Sequence, residues 1–196
     1  MQMNEFEIER LLLCSTGLDE KIEKALELCD LLLGKKLYTK QDIKEICTLP
    51  HYYFFVIKYN EILIGIFFCY VEKASTVEYL KKSKNKYVAK DAKVGVARSI
   101  AIDTKFHRTG ISVQMLNFCT KFLFEEERVA IIIVPAWIHD NIIPSARLLE
   151  KCKYKKCELL EKPWSDNKDL ECPGCGKSVC ECNAALYVMN RSEYYR

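Results

Sequence analysis

The first half of the chain alternates apolar and polar residues in a way that predicts three strands. Phe6 and Ile8 alternate with glutamates, which is typical of a strand with one buried face. The segments 52–59 and 62–71 are rich in aromatic and β-branched residues, which favour strands. Because only Asn60-Glu61 separates the two segments, they predict a β-hairpin.

Apolar residues at helical spacing predict two helices before this hairpin. The first helix carries its apolar face through 18–33, follows a capping-box pattern at Thr16-Gly-Leu-Asp19, and is closed by Gly34. The second begins at Thr39, has an aspartate three residues later, and ends before a proline. After the hairpin, residues 76–93 contain six lysines and predict a basic helix or loop. We interpret it as a solvated face, although connections of this length are often functional.

The second half of the chain repeats the order strand, then helix. Ile100 and Ile102 mark a strand that ends at Asp103, and a helix opens within His107-Arg-Thr-Gly110-Ile-Ser112. Val129–Val134 is an unbroken apolar run, as in a parallel strand buried on both faces. The other predicted elements are an exit loop over 135–141, a helix after Pro144, and strands over 154–160 and 184–189.

This order of elements predicts an α/β fold with a central mixed sheet flanked by helices. The antiparallel hairpin comes first and βαβ units follow, so both kinds of strand pairing are expected in one sheet. No proline- or glycine-rich linker divides the 196 residues. We therefore predict one domain over 1–196, with a small cysteine-rich loop at 165–183 inserted between the last two strands.

Composition narrows the classes of function. The net charge of +3 is too small to indicate nucleic-acid binding. The apolar runs are far shorter than a membrane span, and the first residues lack the basic and apolar regions of a signal peptide. We expect a cytoplasmic protein without a membrane partner, present as a monomer or a homodimer.

The segment from Arg98 to Leu116 combines a strand, a polar turn and the start of a helix. The first N–H groups of a helix have no intrahelical partner, and the helix dipole favours an anion there. Gly110 leaves room for an anion to approach the backbone, and Arg108 adds a positive charge. A phosphate site and an ordinary helix start that contains a glycine both fit these residues.

Two motifs in this half resemble the Gcn5-related N-acetyltransferases, the GNAT superfamily. His107-Arg-Thr-Gly110-Ile-Ser112 is similar to the family's phosphate loop, in which Gln or Arg precedes two spaced small residues. Here the glycine and a basic residue match, while His107 and Ser112 are substitutions. Asn141-Ile-Ile-Pro-Ser-Ala146-Arg-Leu-Leu-Glu-Lys-Cys-Lys-Tyr154 resembles the family's Asn, Ala and Leu-Tyr-Glu-Lys motif.

The resemblance implies a GNAT-like acyl-CoA N-acyltransferase fold, acetyl-CoA as co-substrate, and transfer of the acetyl group to a primary amine of a small molecule or protein. By analogy the pantetheine pairs with the strand where the fourth and fifth strands separate, the pyrophosphate meets the helix start, and Asn141 helps to hold the arm. The residues implied in acetyl-CoA binding are Ile100, Ala101, Ile102, His107, Arg108, Thr109, Gly110, Ile111, Ser112, Val113 and Asn141.

The catalytic residues cannot be assigned from the resemblance. Arg98 stands near the strand position where many relatives carry a glutamate base, and Leu149 replaces a tyrosine acid. We interpret Asp103 as a turn cap and Cys152 as a packed thiol, while Tyr187 and His139 are conceivable substitutes. A sensor that binds acyl-CoA without turnover, and an interaction module, are therefore alternatives to an enzyme.

Four of the eleven cysteines lie within eleven residues and predict a metal site. Cys172-Pro-Gly-Cys175 is a C-x-x-C knuckle, and Cys180-Glu-Cys182 follows as C-x-C, so that four sulfurs can surround one ion. Structural zinc is our hypothesis, and four free or redox-active thiols are the alternative. With four protein ligands the site would be structural, and we expect it to shape the acceptor pocket or a partner surface.

Overall fold

The computed structural model describes residues 6–167, 170–177 and 179–195. Residues 168, 169 and 178, which belong to the predicted cysteine-rich loop, lie outside the described residues. The elements in chain order are β1 (Glu7–Arg10), α1 (Leu18–Leu32), α2 (Lys40–Ile46), β2 (Tyr52–Tyr59), β3 (Ile62–Lys73), α3 (Glu78–Lys81), β4 (Lys93–Ile102), a 3-10 turn (Thr104–Phe106), α4 (Ile111–Glu125), β5 (Ile131–Trp137), α5 (Ala146–Lys151), β6 (Lys155–Leu160), β7 (Ala184–Asn190) and α6 (Arg191–Tyr194).

A single seven-stranded sheet runs in the order β1-β2-β3-β4-β5-β7-β6. Every neighbouring pair is antiparallel except β4 and β5, which are parallel. Parallel strands need a crossover connection between them, and α4 forms this connection from β4 to β5. The predicted mixed sheet flanked by helices is confirmed.

The sheet has an apolar core on each face. On one face, residues of α4 and α5 such as Met115, Leu123 and Leu149 are fully buried. On the other face, Ile22 of α1 and Ile43 of α2 are fully buried against the same strands. Because β3, β4 and β5 are covered on both sides, they consist of nearly continuous apolar runs, as the sequence pattern indicated.

The predicted hairpin forms with the predicted turn. Asn60 and Glu61 have φ values of 49° and 63°, the left-handed pair that a two-residue turn between twisted strands requires. The exit loop predicted from Pro135 is wrong, because β5 continues to Trp137. The strand tolerates the proline because its pairing with β4 ends at Ile133, so no N–H is needed toward that neighbour.

The two predicted helix caps have different outcomes. Thr39 caps α2: its hydroxyl accepts from the Asp42 N–H, and its own N–H donates to the Asp42 carboxylate at 2.7 Å. The capping box expected at Thr16 is wrong, because Gly17, with φ of 65°, is the N-cap of α1 and provides no side-chain bond. Among the described residues, no helix is long and apolar enough to cross a membrane.

We predict that Thr39→Ala destabilises the protein by about 1 kcal/mol, because the Asp42 N–H at the start of α2 loses its side-chain partner. Thr16→Ala is the matched control, since Thr16 precedes a helix without capping it. Urea denaturation of both variants measures the difference. Equal losses would contradict the distinction between the two caps.

Candidate active site and metal centre

The parallel strands β4 and β5 are paired only near their beginnings. Their register ends at Val96 opposite Ile133, although β4 continues to Ile102 and β5 to Trp137. A cavity of about 380 Å³ lies where the two strands diverge. Open α/β sheets bind ligands at such an opening near the carboxyl ends of parallel strands. The opening connects the α4 face of the sheet with the α1 face, because residues from helices on both faces line the cavity.

A β-bulge in β4 lies beside this opening. Phe68 of β3 pairs with Ser99 and Cys69 pairs with Ala97, so Arg98 is the extra residue. A bulge redirects side chains and increases the local twist. As a result Arg98 and Ser99 both have partners on the α1 side of the sheet, where the Arg98 guanidinium carbon lies 5.7 Å from the centre of the Tyr38 ring.

Ser99 and Tyr38 form a buried hydroxyl pair at the cavity wall. The Ser99 Oγ and Tyr38 Oη atoms are 2.6 Å apart, and both residues are buried. Burial raises the pKa of Tyr38 to about 12, although the Arg98 charge and the Ser99 hydrogen bond act in the opposite direction. Tyr38 therefore stays protonated at neutral pH and can donate to Ser99, which leaves the Ser99 hydroxyl proton free to point into the cavity.

The start of α4 provides backbone N–H groups at the other side of the cavity. Gly110 is the N-cap with φ of 88°, and a Cβ atom placed on it would meet no atom within 4 Å. The N–H groups of Val113 and Gln114 both donate to the Gly110 carbonyl, so the helix hydrogen bonds begin there. Earlier N–H groups are the ones that a helix cannot satisfy itself, and the open space beside Gly110 leaves room for an anion to approach them.

The turn that precedes α4 is fixed by short-range hydrogen bonds. Asp103 accepts from the Lys105 N–H at 2.9 Å, which is the turn-capping role predicted for it. The His107 Nε2 atom lies 3.0 Å from the Ile102 carbonyl oxygen, and the Thr109 hydroxyl donates to Phe106. These bonds hold the helix start against the end of β4.

Five of the eleven residues that the sequence implicated in cofactor binding line this cavity. Ile100, Ala101, Ile102, His107 and Ser112 line it directly. Arg108, Thr109 and Gly110 form the turn before α4, while Ile111 and Val113 belong to its first turn and pack toward the core. Asn141 is exposed in a tight turn with φ of 63° and is not one of the cavity-lining residues.

The candidate catalytic residues weighed from sequence lie elsewhere. Tyr187 is completely buried in the core on the α4 face, 3.4 Å from a Glu150 carboxylate oxygen. His139 stacks on Trp137 at 5.2 Å between ring centres. Cys152 is buried, and burial raises the pKa of its thiol, so it is packed as predicted.

Sequence analysis missed the hydroxyl pair of Ser99 and Tyr38. Ser99 follows the arginine in β4 and Tyr38 sits between α1 and α2, so 61 residues separate them. The only local signal was a polar residue within an apolar strand pattern. The bulge that turns Ser99 toward Tyr38 has no signature in the sequence.

The four clustered cysteines converge as predicted. Their sulfur atoms all lie within 4.8 Å of one another, and Cys172 Sγ is 3.7 Å from Cys182 Sγ. A tetrahedral zinc with Zn–S bonds of about 2.3 Å has sulfur–sulfur edges of about 3.8 Å, so the cluster has the size of a zinc site. The donor set of four thiols also suits zinc.

The surroundings act in opposite directions on the thiols of the cluster: burial raises the pKa of Cys180 and Cys182, whereas hydrogen bonds lower the pKa of Cys175. Burial raises the pKa of Cys175, but the backbone N–H groups of Glu181 and Lys177 and the thiols of Cys172 and Cys182 outweigh it and hold the pKa at about 6. Burial raises the pKa of the Cys182 thiol, although the Trp137 indole N–H acts in the opposite direction. That N–H is buried and has no acceptor among the described residues at hydrogen-bonding geometry. A thiolate at this position would give that donor a partner.

The cysteine-rich loop forms a wall of the cavity. Cys172, Cys180 and Leu170 line it, together with Trp164 before them. The loop is also packed against the end of α1, where a Cβ atom on Gly34 would come within 3.0 Å of the Glu171 carbonyl oxygen. Whatever stabilises the loop therefore also shapes the cavity on the α1 side.

Comparison with known proteins identifies the fold as that of the GNAT acetyltransferases. Arabidopsis thaliana NAA60 in complex with acetyl-CoA is similar over 95% of this chain and 99% of its own, with a TM-score of 0.67 and 11% identity. A GNAT family acetyltransferase from Elizabethkingia anophelis with acetyl-CoA bound is similar over 96% of this chain and 99% of its own, with a TM-score of 0.60 and 15% identity.

A third similar structure is the ribosomal-protein-S18-alanine N-acetyltransferase from Escherichia coli, which covers 95% of this chain and 94% of its own, with a TM-score of 0.60 and 11% identity. No protein-family model and no curated protein sequence matches the chain. At these identities the likeness establishes the fold.

We predict that Cys172→Ser lowers the zinc content of the purified protein well below one ion per chain and lowers its Tm, because a tetrahedral site loses one of its four ligands. Cys14→Ser is the matched control, since Cys14 is an exposed thiol outside the cluster. Elemental analysis and thermal unfolding measure both effects. A metal-free wild-type protein with the same Tm as Cys172→Ser would contradict the zinc site.

Proposed function

We propose that this protein transfers the acetyl group of acetyl-CoA directly to a primary amine inside the cavity between β4 and β5. The observation that carries the proposal is the separation of these two strands beside the start of α4, in a chain with the fold of GNAT acetyltransferases. Such an opening offers unpaired strand edges to an amide-bearing arm and helix N–H groups to a diphosphate. The similar structures from Arabidopsis and Elizabethkingia contain acetyl-CoA.

In this proposal the cofactor lies along the edge of β4. Ile100–Ile102 would pair with the pantetheine amides through their backbone, as a strand edge pairs with an extended peptide. Of the N–H groups from Arg108 to Val113, those before Val113 would bind the pyrophosphate, since the Val113 N–H already donates to the Gly110 carbonyl. The Arg108 side chain would add a positive charge. Asn141 stays a candidate for the pantetheine arm, from its exposed turn at the rim.

Acetyl transfer requires a neutral amine, a donor to the thioester oxygen, and a proton for the departing sulfur. Among the described residues that line the cavity there is no carboxylate, and Leu149 lies at the position of a possible acid. We assign the donor role to the Ser99 hydroxyl, whose oxygen lies 2.6 Å from the Tyr38 hydroxyl oxygen and would accept its hydrogen bond. Tyr38 is then a positioning residue, since it acts through Ser99.

The four cysteines would hold a structural zinc ion in the wall of the acceptor side. With four sulfur ligands the ion has no open position, so its contribution is to order the loop that carries Cys172 and Cys180. Those two residues line the cavity, and the loop therefore takes part in forming the acceptor pocket.

Gly110→Glu should weaken acetyl-CoA binding by at least about tenfold, because a carboxylate would occupy the space proposed for the pyrophosphate. Gly17→Glu is a matched control: Gly17 is also a helix N-cap with positive φ and open space around its Cβ position, but it lies outside the cavity. Isothermal titration calorimetry with acetyl-CoA compares the two. Equal affinities for both variants would argue against a pyrophosphate at α4.

Tyr38→Phe should lower kcat for acetyl transfer roughly tenfold or more, because Ser99 loses the hydrogen bond that orients its hydroxyl. Tyr154→Phe is the matched control. Tyr154 is equally buried and its hydroxyl lies 2.7 Å from that of Thr120, on the opposite side of the sheet.

Both substitutions should cost about 1–2 kcal/mol of stability, since each removes a hydrogen bond between two buried hydroxyls. Only Tyr38→Phe should change kcat and its pH profile in a steady-state assay with radiolabelled acetyl-CoA. The label is preferable to a thiol reagent because the protein carries eleven cysteines. A parallel loss of kcat in both variants would mean that Tyr38 acts through stability alone.

A sensor that binds acyl-CoA without turnover is the second candidate. It is favoured by the apolar Leu149 and by the lack of a carboxylate among the described cavity-lining residues. Tight binding of acetyl-CoA without transfer across a broad panel of primary amines would support the sensor. Transfer to any amine of the panel would support the enzyme.

A further inference from the structure

Arg98 is a positive charge in the cavity wall without a carboxylate partner among the described residues. It lines the cavity, and its guanidinium carbon lies 5.7 Å from the Tyr38 ring centre and 5.8 Å from that of Phe68. The groups that act on its charge are the hydroxyls of Tyr38, Tyr52, Tyr70 and Tyr79. The faces of aromatic rings stabilise a cation, and Arg98 is exposed, so its N–H donors are accessible to a ligand that enters from solvent.

The rest of this wall is apolar. The end of α1 contributes leucines, the cysteine-rich loop contributes Trp164 and Leu170, and no aspartate or glutamate is found among the described lining residues. A polycationic acceptor would meet Arg98 with like charge and find no carboxylate to pair with. A ligand with an anionic group and an apolar body matches both features of the wall.

The acceptor side is also closed across the end of α1. The Glu171 N–H donates to the Lys35 carbonyl at 3.0 Å, and the Glu171 carboxylate pairs with Lys36 at 2.5 Å, so the cysteine-rich loop is joined to the segment after α1. The cavity of about 380 Å³ has to hold the end of the cofactor as well as the acceptor. A small molecule fits this space, and the loop joined to the segment after α1 limits the extent of the cavity on that side.

We propose that the acceptor is a small primary amine that also carries a carboxylate and an apolar side chain, as an apolar amino acid does, and that Arg98 pairs with the carboxylate. This inference rests on the proposed acetyl transfer. The planar guanidinium can form two parallel hydrogen bonds with a carboxylate, which fixes the direction of the ligand. The amine is then held at a set distance from Arg98, on the side of the thioester.

The test uses L-leucine, L-leucinamide and isoamylamine, which share a primary amine and an apolar side chain and differ in the carboxylate. Calorimetry measures the binding of each compound to the full-length protein saturated with CoA, and radiolabelled acetyl-CoA measures transfer. We expect the wild type to prefer L-leucine by roughly 10- to 100-fold in Kd and in kcat/KM. Arg98→Gln should remove this preference, and Arg98→Lys should keep part of it, since a lysine retains the charge without the paired donors.

The outcomes separate this inference from the proposed function. Equal binding and transfer of the three compounds by the wild type would overturn the acceptor class and leave acetyl transfer intact. Weaker acetyl-CoA binding or a uniform loss of transfer in Arg98→Gln would assign Arg98 to the cofactor, and a loss of zinc would assign it to the cysteine centre. Either result overturns the inference. A wild type that does not bind acetyl-CoA would overturn the proposed function as well.

Discussion

The separation of β4 from β5 is the constraint on which the rest of the site depends. A parallel pair normally continues its ladder, because each unpaired backbone group that is buried costs free energy. Two local features act against continued pairing here. The bulge at Arg98 bends β4 and increases its twist, and Pro135 in β5 has no N–H to donate. The unpaired edges are left facing a cavity, where a ligand with amide groups can satisfy them.

The same opening connects the two faces of the sheet, so that the groups suited to the cofactor and those suited to the acceptor lie on different faces. On the α4 face lie the N–H groups and the small residues suited to a diphosphate and its arm. On the α1 face lie Arg98, Ser99 and Tyr38, brought together by the bulge. A thioester placed in the opening would have its cofactor on one side and its acceptor on the other.

The sequence was sufficient for the features that depend on local pattern. Apolar periodicity predicted the sheet and helices, and the Thr39 cap follows from a threonine and an aspartate three residues apart. The four cysteines could be assigned to one cluster because their close spacing allows the four sulfurs to converge. The end of β5 and the cap of α1 were predicted wrongly. A proline can end a strand or lie within it, and a threonine before a helix can cap it or not, and tertiary contacts decide which occurs.

The acceptor side could not be predicted, because it consists of contacts between distant segments. Tyr38 meets Ser99 across 61 residues, and Glu171 meets Lys36 across 135. In the sequence, Arg98 stands near a strand position where a glutamate base was expected, which indicated only the lack of a catalytic group. In three dimensions it is a cation on two aromatic rings, in a wall without carboxylates among the described residues. The two rings hold the guanidinium at the cavity wall, and its exposed N–H donors can pair with an anionic ligand. The residue that departs from the expected acid–base pattern is therefore the one that gives the cavity its chemical preference.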